Sequence, residues 1–454
     1  MIIQNRAELA TSNLRTKALD IIEAGIEAVL PTRVVRSAVK FDATTRTLAL
    51  GHNEYRPGHG GRIFIVGGGK AGGAMAEALE EILSPGNITA GVVICNEPAA
   101  KYDTLVVRIA EAGHPVPDRR GIDGVRRMLA LKSAYSVGAQ DLILCLISGG
   151  GSALMPCPVK GVSLEEKQKL TGLLLSCGAE IAEINAVRKH LSQIKGGRLG
   201  AFFAPAKVVS LILSDVVGND LSVIASGPTY PDSTTFRDAL DILGKYNLLS
   251  APPPSTLEYL ERGAKGQVEE TPKSLGNCHN YIIGDNRLAL ETMAQKAREL
   301  GLHPRIVTSA QTGDTTAVAR QRAGELLSGN YAGYDAILFG GETTPTLSVS
   351  HGKGGRNQHY AAVSMLAMKG YVGEWVVASV GTDGSDFLPD VAGAMVDSSS
   401  LGRARAKGMD VEAYLERYDS NTLLGKIGAA LIVTGNTGTN VSDIIVYGLR
   451  PARH

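Results

Sequence analysis

Short apolar runs alternate with longer amphipathic segments through most of the chain. In the first half, runs rich in Val, Ile and Leu predict strands at residues 62–66, 91–95, 105–109, 142–147 and 208–213. Strands without a polar alternation are typical of a parallel sheet that is covered on both faces. Apolar residues at helical spacing predict helices at residues 71–83, 121–137, 164–179 and 180–194. The repeated strand–helix order predicts a doubly wound α/β domain, whose ligands bind at the carboxyl ends of the strands.

Two further features organise the rest of the chain. Apolar side chains recur at helical spacing from Leu14 to Val29, and Pro31 ends this first predicted helix. A Pro-rich stretch at residues 250–255 and a polar stretch at 261–273 indicate a connection between domains. Beyond it, strands are predicted at residues 281–283, 305–307, 336–339 and 375–380, and helices at 287–300 and 315–327.

We therefore expect two domains of the α/β class. A Rossmann-like, doubly wound N-terminal domain occupies residues 1–250, a connecting segment occupies 251–275, and a second, smaller α/β domain occupies 276–454. Glycine-rich turns in both domains suggest a ligand cleft between them.

Composition excludes several classes of function. The net charge is +1 over 454 residues, so no global field favours nucleic acid or an anionic membrane. Aromatic residues make up only 5%, too few for platforms that stack nucleic-acid bases. No apolar run approaches the ~18 residues of a membrane span, and the N-terminus lacks a signal-peptide pattern. The five cysteines form no C-x-x-C pair, so we expect a soluble cytoplasmic protein with reduced thiols.

Glycine clusters carry the strongest chemical signal. The chain has 54 glycines, and six glycine-rich segments lie at residues 67–73, 148–152, 340–344, 352–357, 381–384 and 435–440. Glycine allows backbone N–H groups to converge on an anion, and a following helix adds its positive end. Because Lys70, Lys353, Arg356 and Asp383 lie inside these segments, we expect a site that handles phosphates and a metal ion.

The first segment has two interpretations. Gly67, Gly69 and Gly72 satisfy the dinucleotide pattern G-x-G-x-x-G between a predicted strand and a predicted helix. However, the acidic residue expected after the second strand has only Glu97 as a candidate, and Lys70 stands where a dinucleotide needs close backbone approach. A lysine there suits a phosphate or a carboxylate, to which it offers a point charge.

Other polar residues follow predicted strands. The serines of segment 148–152 can bind an anion with their hydroxyl and backbone donors. Asp215 follows the strand at 208–213, where a carboxylate can hold a metal or take a proton from a hydroxyl. His114 and His190 are acid–base candidates, although an isolated histidine is more often structural.

In the second half, the glycines before Arg356 leave room for its guanidinium to bind a phosphoryl group bidentately. Asp383, Asp386 and Asp390 form a cluster that can supply one or two carboxylates to Mg²⁺. A Ca²⁺-binding loop, although without the EF-hand pattern, and an ordinary Asx turn remain the alternatives for this cluster.

Taken together, these residues resemble the glycerate 2-kinases with a C-terminal MOFRL domain, a family whose members are also called hydroxypyruvate reductases. The matching stretches are residues 66–73, 113–118, 147–154, 185–197, 214–220, 226–229, 340–344, 352–358, 381–384 and 421–440. The resemblance covers nearly the whole chain in order. It implies ATP-dependent phosphorylation of D-glycerate at the 2-hydroxyl. For such an enzyme we expect ATP with Mg²⁺ or another divalent cation, a monomer or homodimer, and no nucleic-acid or membrane partner.

The resemblance also implies that Lys70 and Arg356 face each other across the interdomain cleft as the principal cations. For a kinase of this kind, we expect Asp215 or Asp383 to hold Mg²⁺ or to accept the hydroxyl proton, and the sequence does not separate these two tasks. Arg188, Lys195 and His114 are the substrate-binding candidates, and the metal candidates are Asp215, Asp383 and Asp386. The nucleotide- or phosphate-binding candidates are Gly67, Gly68, Gly69, Ser148, Gly149, Gly150, Gly151, Ser152, Gly341, Glu342, Thr343, Gly354, Gly355 and Asn357.

One segment departs from the family. Where the family often reads Gly-Pro-Thr after the second aspartate of the 381–393 loop, this chain has Phe387-Leu388-Pro389. Acceptor preference is therefore open. Two other functions also stay open: an NAD(P)H-dependent hydroxypyruvate reductase, and a nucleotide or sugar-phosphate sensor without catalytic activity.

Overall fold

The computed structural model describes residues 1–347 and 350–452. Its chain divides into two compact units, which we call the N-terminal unit (Val34–Ile283) and the C-terminal unit (Met1–Arg33 with Gly284–His454). The strands are β1 (Val39–Asp42), β2 (Thr47–Leu50), β3 (Asn53–Tyr55), β4 (Ile63–Gly68), β5 (Ala90–Cys95), β6 (Val107–Glu111), β7 (Leu142–Ser148), β8 (Lys207–Leu213), β9 (Cys278–Gly284), β10 (Pro304–Gln311), β11 (Ala336–Gly341), β12 (Gly373–Gly381), β13 (Gly393–Asp397), β14 (Leu431–Ile432) and β15 (Asp443–Pro451).

Helices connect these strands. They are α1 (Arg6–Leu9), α2 (Asn13–Ala28), α3 (Pro31–Ala38), α4 (Gly72–Leu83), α5 (Arg119–Ala134), α6 (Gly151–Leu154), α7 (Leu164–Ser176), α8 (Ile181–His190), α9 (Arg198–Phe203), α10 (Phe236–Lys245), α11 (Pro254–Ala264), α12 (Asn286–Glu299), α13 (Thr315–Leu327), α14 (Arg356–Ala367), α15 (Ser400–Ala406), α16 (Val411–Glu416) and α17 (Ser420–Ile427).

The N-terminal unit contains the predicted doubly wound sheet. Its strand order is β6-β5-β4-β7-β8-β9, and the first five of these strands pair in parallel. This is the Rossmann order, in which the direction of winding reverses between the first and fourth strands. Here that switch point lies between β4 and β7, both of which are buried along their whole length. The fold class expected from the continuous apolar runs is confirmed.

The C-terminal unit has a mixed sheet in the order β10-β11-β15-β12-β13-β14. Strands β10 and β11 pair in parallel, whereas β15 is antiparallel to both β11 and β12. Sequence reasoning did not predict β15, because the apolar run that forms it follows directly on the glycine-rich segment 435–440. The strand is nevertheless central to the sheet and buried over its first seven residues.

The units divide the chain differently from the predicted domains. Helix α2 packs against β12, β15 and α12 of the C-terminal unit, and a Cβ on Gly25 would lie 2.7 Å from Met293 Cγ, so this glycine permits close helix packing. Conversely, β9 completes the N-terminal sheet, although its apolar run was assigned to the second domain. The segment at 251–275 is partly helical, because α11 lies inside it.

One predicted helix is too long. The apolar spacing predicted a helix at 180–194, but α8 ends at His190. The chain then turns, Ser192 bridges to Pro158, and Gly196 and Gly197 adopt φ values of 59° and 81°. These left-handed conformations suit glycine and do not continue a helix.

Candidate active site

Two glycine-rich loops meet at the switch point of the N-terminal sheet. The amide of Lys70 donates to Gly149 O at 2.8 Å, and the amide of Ala71 donates to Ser148 Oγ at 3.1 Å. The amides of Gly69 and Gly72 also donate to backbone oxygens of the protein. Since these four amides are already used, the first loop offers an anion the Lys70 side chain rather than a ring of backbone donors.

The glycines of the first loop are explained by packing. A Cβ on Gly67 would lie 2.0 Å from Leu146 O, and a Cβ on Gly69 would lie 2.1 Å from Ser148 Oγ. Both glycines also have positive φ values, 126° and 149°. The G-x-G pattern is therefore required by the close approach of β4 to β7, whether or not a dinucleotide binds.

Lys70, His114 and Asp215 converge on the second loop. A Cβ on Gly150 would lie 2.9 Å from Lys70 Cγ and 3.0 Å from His114 Nε2. A Cβ on Gly149 would lie 2.0 Å from Asp215 Oδ2. Burial lowers the pKa of His114, and the nearby charge of Lys70 lowers it further, which favours a neutral imidazole. The switch point thus carries a cation, a neutral histidine and a carboxylate around one glycine loop.

A second group of cations lies in the same unit. Lys167 and Lys195 are 8% and 1% exposed, and Arg188 is half-buried. Lys167 Nζ donates to Leu191 O at 3.0 Å, and Lys195 Nζ reaches Ala225 O at 3.4 Å. Within the described residues, none of the three side chains pairs with a carboxylate. We call Lys167, Arg188 and Lys195 the buried cation cluster.

Burial and mutual repulsion act on this cluster. Burial, followed by the charge of Arg188, lowers the pKa of Lys167 to about 7. Burial also lowers the pKa of Lys195, and Arg188 and Lys167 add to the effect. Ala225, whose carbonyl binds Lys195, packs against the glycine loop, since a Cβ on Gly151 would lie 2.8 Å from Ala225 Cβ. The cluster therefore adjoins the loop after β7, and the described part of the chain supplies no carboxylate that compensates it.

In the C-terminal unit, Arg356 is held by two carboxylates. Its Nε and Nη2 donate to the two oxygens of Asp443 at 2.7 and 3.0 Å, and its Nη1 donates to Glu342 Oε1 at 2.7 Å. Burial alone would lower the pKa of Arg356, but Asp443 and Glu342 raise it. Asn357 Nδ2 also donates to Asp443, at 2.9 Å.

Asp386 occupies the N-terminus of α14. Its two oxygens accept the backbone amides of Asn357 and Gln358 at 2.9 and 2.8 Å. A Cβ on Gly355 would lie 2.1 Å from Asp386 O, so the glycine before the helix permits this approach. Burial raises the pKa of Asp386 to about 6. The carboxylate of Asp386 thus accepts hydrogen bonds from the backbone amides at the start of α14. From the glycine pattern, these amides were expected to bind a phosphate.

Comparisons with known proteins place the chain. Residues 17–261 match the model of a domain of unknown function, DUF4147, and residues 335–443 match the MOFRL family. The chain is 40% identical to a D-glycerate 2-kinase from Thermotoga maritima over 96% of its own length and 98% of that relative. The crystal structure of a glycerate kinase from that organism superposes with a TM-score of 0.82 at 38% identity, covering 96% of this chain and 99% of the other.

The chain belongs to the glycerate kinase family. Some relatives have another name: one from Agrobacterium vitis, provisionally called a hydroxypyruvate reductase, is 40% identical over 85% of this chain and 86% of its own length. Family membership confirms the resemblance that the glycine segments, the 113–118 stretch and the 185–197 stretch indicated.

Several site predictions remain predictions within this family assignment. Lys70, His114, Asp215 and the 148–152 loop are brought together, as are Arg356, Asn357 and Glu342. Gly341 and Thr343 lie beside β10 and α13, because a Cβ on Gly341 would lie 2.3 Å from Gln311 and Thr315 Oγ1 donates to Thr343 Oγ1 at 3.0 Å. His190 is structural, since its ring nitrogens bond Ala186 O and Glu270 at 2.7 and 2.8 Å.

Sequence reasoning missed two residues. Lys167 stands where an apolar residue is expected, because the buried face of α7 also carries Leu164, Leu170 and Leu174. A lysine on the apolar face of a predicted helix indicates a buried charge and could have identified this residue as a site candidate. Asp443 immediately precedes the apolar run of β15, which is weaker evidence for a functional role.

The described residues set limits on other roles. They contain no group of three or more His, Cys, Asp or Glu side chains that could hold a metal ion. No helix among them is long and apolar enough to cross a membrane.

Proposed function

We propose that this chain is an ATP-dependent kinase that phosphorylates D-glycerate at its 2-hydroxyl, producing 2-phosphoglycerate and ADP. The observation that carries the proposal is the convergence of Lys70, His114 and Asp215 on the loop after β7, in a chain 40% identical to a D-glycerate 2-kinase. Phosphoryl transfer depends mainly on positioning and on neutralising charge, and this group offers a cation and a carboxylate at one point.

Each residue of the group has a proposed task. Lys70 neutralises charge on the transferred phosphoryl group as a point charge. Asp215 accepts the proton of the 2-hydroxyl, or it holds a metal, and Asp383 is the alternative for either task. His114, which its surroundings favour as neutral, donates or accepts a hydrogen bond to the acceptor.

The buried cation cluster is the proposed site for the acceptor's carboxylate. Arg188 and Lys195 were the sequence candidates, and we add Lys167. Two buried cations and one half-buried cation, without a carboxylate partner among the described residues, are unfavourable unless an anion compensates them. The cluster reaches the glycine loop through Ala225, which would keep the carboxylate near the reacting hydroxyl.

Arg356 is the second proposed catalytic cation. Asp443 and Glu342 use three of the five N–H donors of its guanidinium. Two N–H donors of Arg356 are left for a phosphoryl group. The carboxylates of Asp443 and Glu342 fix the orientation of the guanidinium plane to which these donors belong. We propose that Asp443 is a positioning residue for Arg356.

Magnesium is proposed as the companion of ATP. Mg²⁺ usually keeps several waters and is bound by one or two carboxylates together with substrate phosphates. Asp383 or Asp215 would suffice for such a site, which needs no preformed group of three ligands. Asp386 fits less well, because both of its oxygens accept N–H groups. The ion would neutralise charge on the donor phosphates.

We also propose a cytoplasmic location and a monomer or homodimer. The five cysteines are unpaired and three of them are buried, which suits a reducing compartment.

A hydroxypyruvate reductase is the second candidate, favoured by the G-x-G-x-x-G pattern and by the name of the Agrobacterium vitis relative. The use of the loop amides within the protein weighs against it. ADP release that requires D-glycerate and MgATP, with the 2-isomer as product, would support the kinase. NADH oxidation by hydroxypyruvate without ADP release would overturn it.

A further inference from the structure

A small cavity lies at the start of α14, within the C-terminal unit. Its volume is about 180 Å³, and its lining includes Pro345, His359, Phe387, Tyr418 and Ser420. A planar ring system of the size of a purine fits into this space.

Two residues that line this cavity each carry a buried polar atom without a hydrogen-bond partner in the described part of the chain. These atoms are Ser420 Oγ and His359 Nδ1, on residues that are 1% and 2% exposed. Buried polar atoms in folded proteins are normally satisfied, so a bound molecule with polar edges is expected here. His359 is held in place, because its Nε2 bonds Thr316 Oγ1 at 2.9 Å and its ring stacks on Tyr418 at 4.3 Å.

The charges around the cavity disfavour an anionic occupant. Asp386 lines it, and the amides at the start of α14 already bind that carboxylate. Arg356 also lines it, but Asp443 and Glu342 use three of its five N–H donors, which leaves two for a phosphoryl group. At the Asp386 side of the cavity, the carboxylate would repel a phosphate or a second carboxylate. A neutral, planar group with hydrogen-bonding edges has no such conflict.

Aromatic rings supply the faces that a planar group needs. Phe387 is 77% exposed in a chain with only 5% aromatic residues, and it lies on the loop that departs from the family pattern. Its φ of 65° is unusual for a residue with a side chain. Tyr418 and His359 form the stacked pair on the cavity wall. Stacking on aromatic side chains is the common way in which proteins bind nucleobases.

We propose that this cavity binds the nucleobase of the phosphoryl donor. The base stacks on Phe387 and on the wall formed by Tyr418 and His359. Ser420 Oγ and His359 Nδ1 bond its polar edge. The proposal rests on the proposed function only in taking a nucleoside triphosphate as donor. It assigns a role to the Phe387 loop, which sequence reasoning could connect only with acceptor preference.

Adenosine is the probe that tests the cavity without the chemistry. Binding of adenosine to the whole chain is measured by calorimetry or by saturation-transfer NMR, for the wild type, Phe387→Gly, Ser420→Ala and Leu388→Ala. Phe387→Gly removes a side chain from a positive-φ position, so folding should be retained. Leu388→Ala is the matched control, since Leu388 lies on the same loop but is not among the residues lining the cavity.

We expect Phe387→Gly to weaken adenosine binding about tenfold, as loss of one stacked ring does, and Ser420→Ala to weaken it severalfold. The same variants should raise the KM for ATP by similar factors and leave kcat and the KM for D-glycerate unchanged. Leu388→Ala should behave as the wild type.

The outcomes separate the two proposals. Absence of adenosine binding in the wild type, or binding that neither Phe387→Gly nor Ser420→Ala weakens, overturns the nucleobase site even if ADP release requires D-glycerate. Adenosine binding that both variants weaken, in a protein that releases no ADP with D-glycerate, supports the nucleobase site and overturns the kinase.

Discussion

At the residue scale, the neighbours of Lys70 determine which of its groups can bind an anion. Its backbone amide is bound to Gly149 O, so its contribution to an anion must come from the ammonium group. Gly150 lacks a side chain, and this leaves space for both Lys70 and His114 beside the loop. The sequence showed a lysine in a glycine loop, but only the structure showed that the loop's amides are used elsewhere.

We expect Lys70→Ala to lower kcat for D-glycerate phosphorylation by about 10³-fold, because a positioned cation on the phosphoryl group is lost. Steady-state ADP release measures the effect. Lys40→Ala, an exposed lysine of β1, is the control and should leave turnover unchanged. Turnover near the wild-type value in Lys70→Ala would exclude the catalytic role.

Lys167 gives a pH-dependent prediction. Its pKa is about 7 in the folded protein and near 10.5 when exposed, so the unfolded chain holds more protons between these values. The free energy of unfolding should therefore rise with pH from about 7 towards 10, by at most about 1.4 kcal/mol per pH unit. Lys167→Met should remove this part of the rise and increase the KM for D-glycerate.

Urea denaturation between pH 6 and pH 9.5 tests the first effect, and initial rates test the second. Lys169→Met, an exposed lysine on the same helix, should change neither. The same pH slope in Lys167→Met as in the wild type would show that Lys167 does not titrate in this range.

Helix α2 shows what the element scale adds. Its amphipathic pattern was readable from the sequence, and the helix is confirmed at Asn13–Ala28. Its partner was not readable, because apolar residues at helical spacing show which face is buried but not what covers it. Arg15 shows one contact that holds α2 in place. Its side chain is fully buried, and it donates hydrogen bonds from Nη1 to Asp397 Oδ2 at 2.6 Å and from Nε to Leu9 O at 2.7 Å.

Arg15→Ala should destabilise the protein by about 3–5 kcal/mol, because it leaves the carboxylate of Asp397 without its buried partner. Chemical denaturation measures the change. Arg33→Ala removes one arginine of an exposed pair with Glu27 and should cost less than about 1 kcal/mol. Equal effects of the two substitutions would mean that the Arg15 pair does not anchor α2.

At the scale of the whole molecule, the two units are discontinuous along the chain. Residues 34–283 form one unit, with β9 as the last strand of its sheet. The predicted boundary at residue 250 would separate β9 from this sheet and leave β8 as an unpaired edge. The proline-rich stretch at residues 250–255 correctly indicated a connecting segment. Such a segment can lie within a compact unit as well as between two units, so it did not locate the boundary.

A fragment of residues 34–283 should unfold in one cooperative transition, whereas a fragment of residues 1–250 should have a lower Tm and a greater tendency to aggregate. Thermal unfolding followed by circular dichroism, together with light scattering, tests both. A stable, monomeric fragment 1–250 would support the predicted domain boundary instead.

The sequence by itself determined the fold class and the family. Continuous apolar runs followed by glycines are local patterns, and they were sufficient to predict β4, β7 and the loops after them. The tertiary structure alone decided which partners these groups meet. Asp443 pairs with Arg356, Asp386 binds the first amides of α14, and Lys167 lies near Arg188 and Lys195. These residues are far apart along the chain. A local sequence pattern does not show which distant residues come into contact when the chain folds, so these pairings could not be predicted.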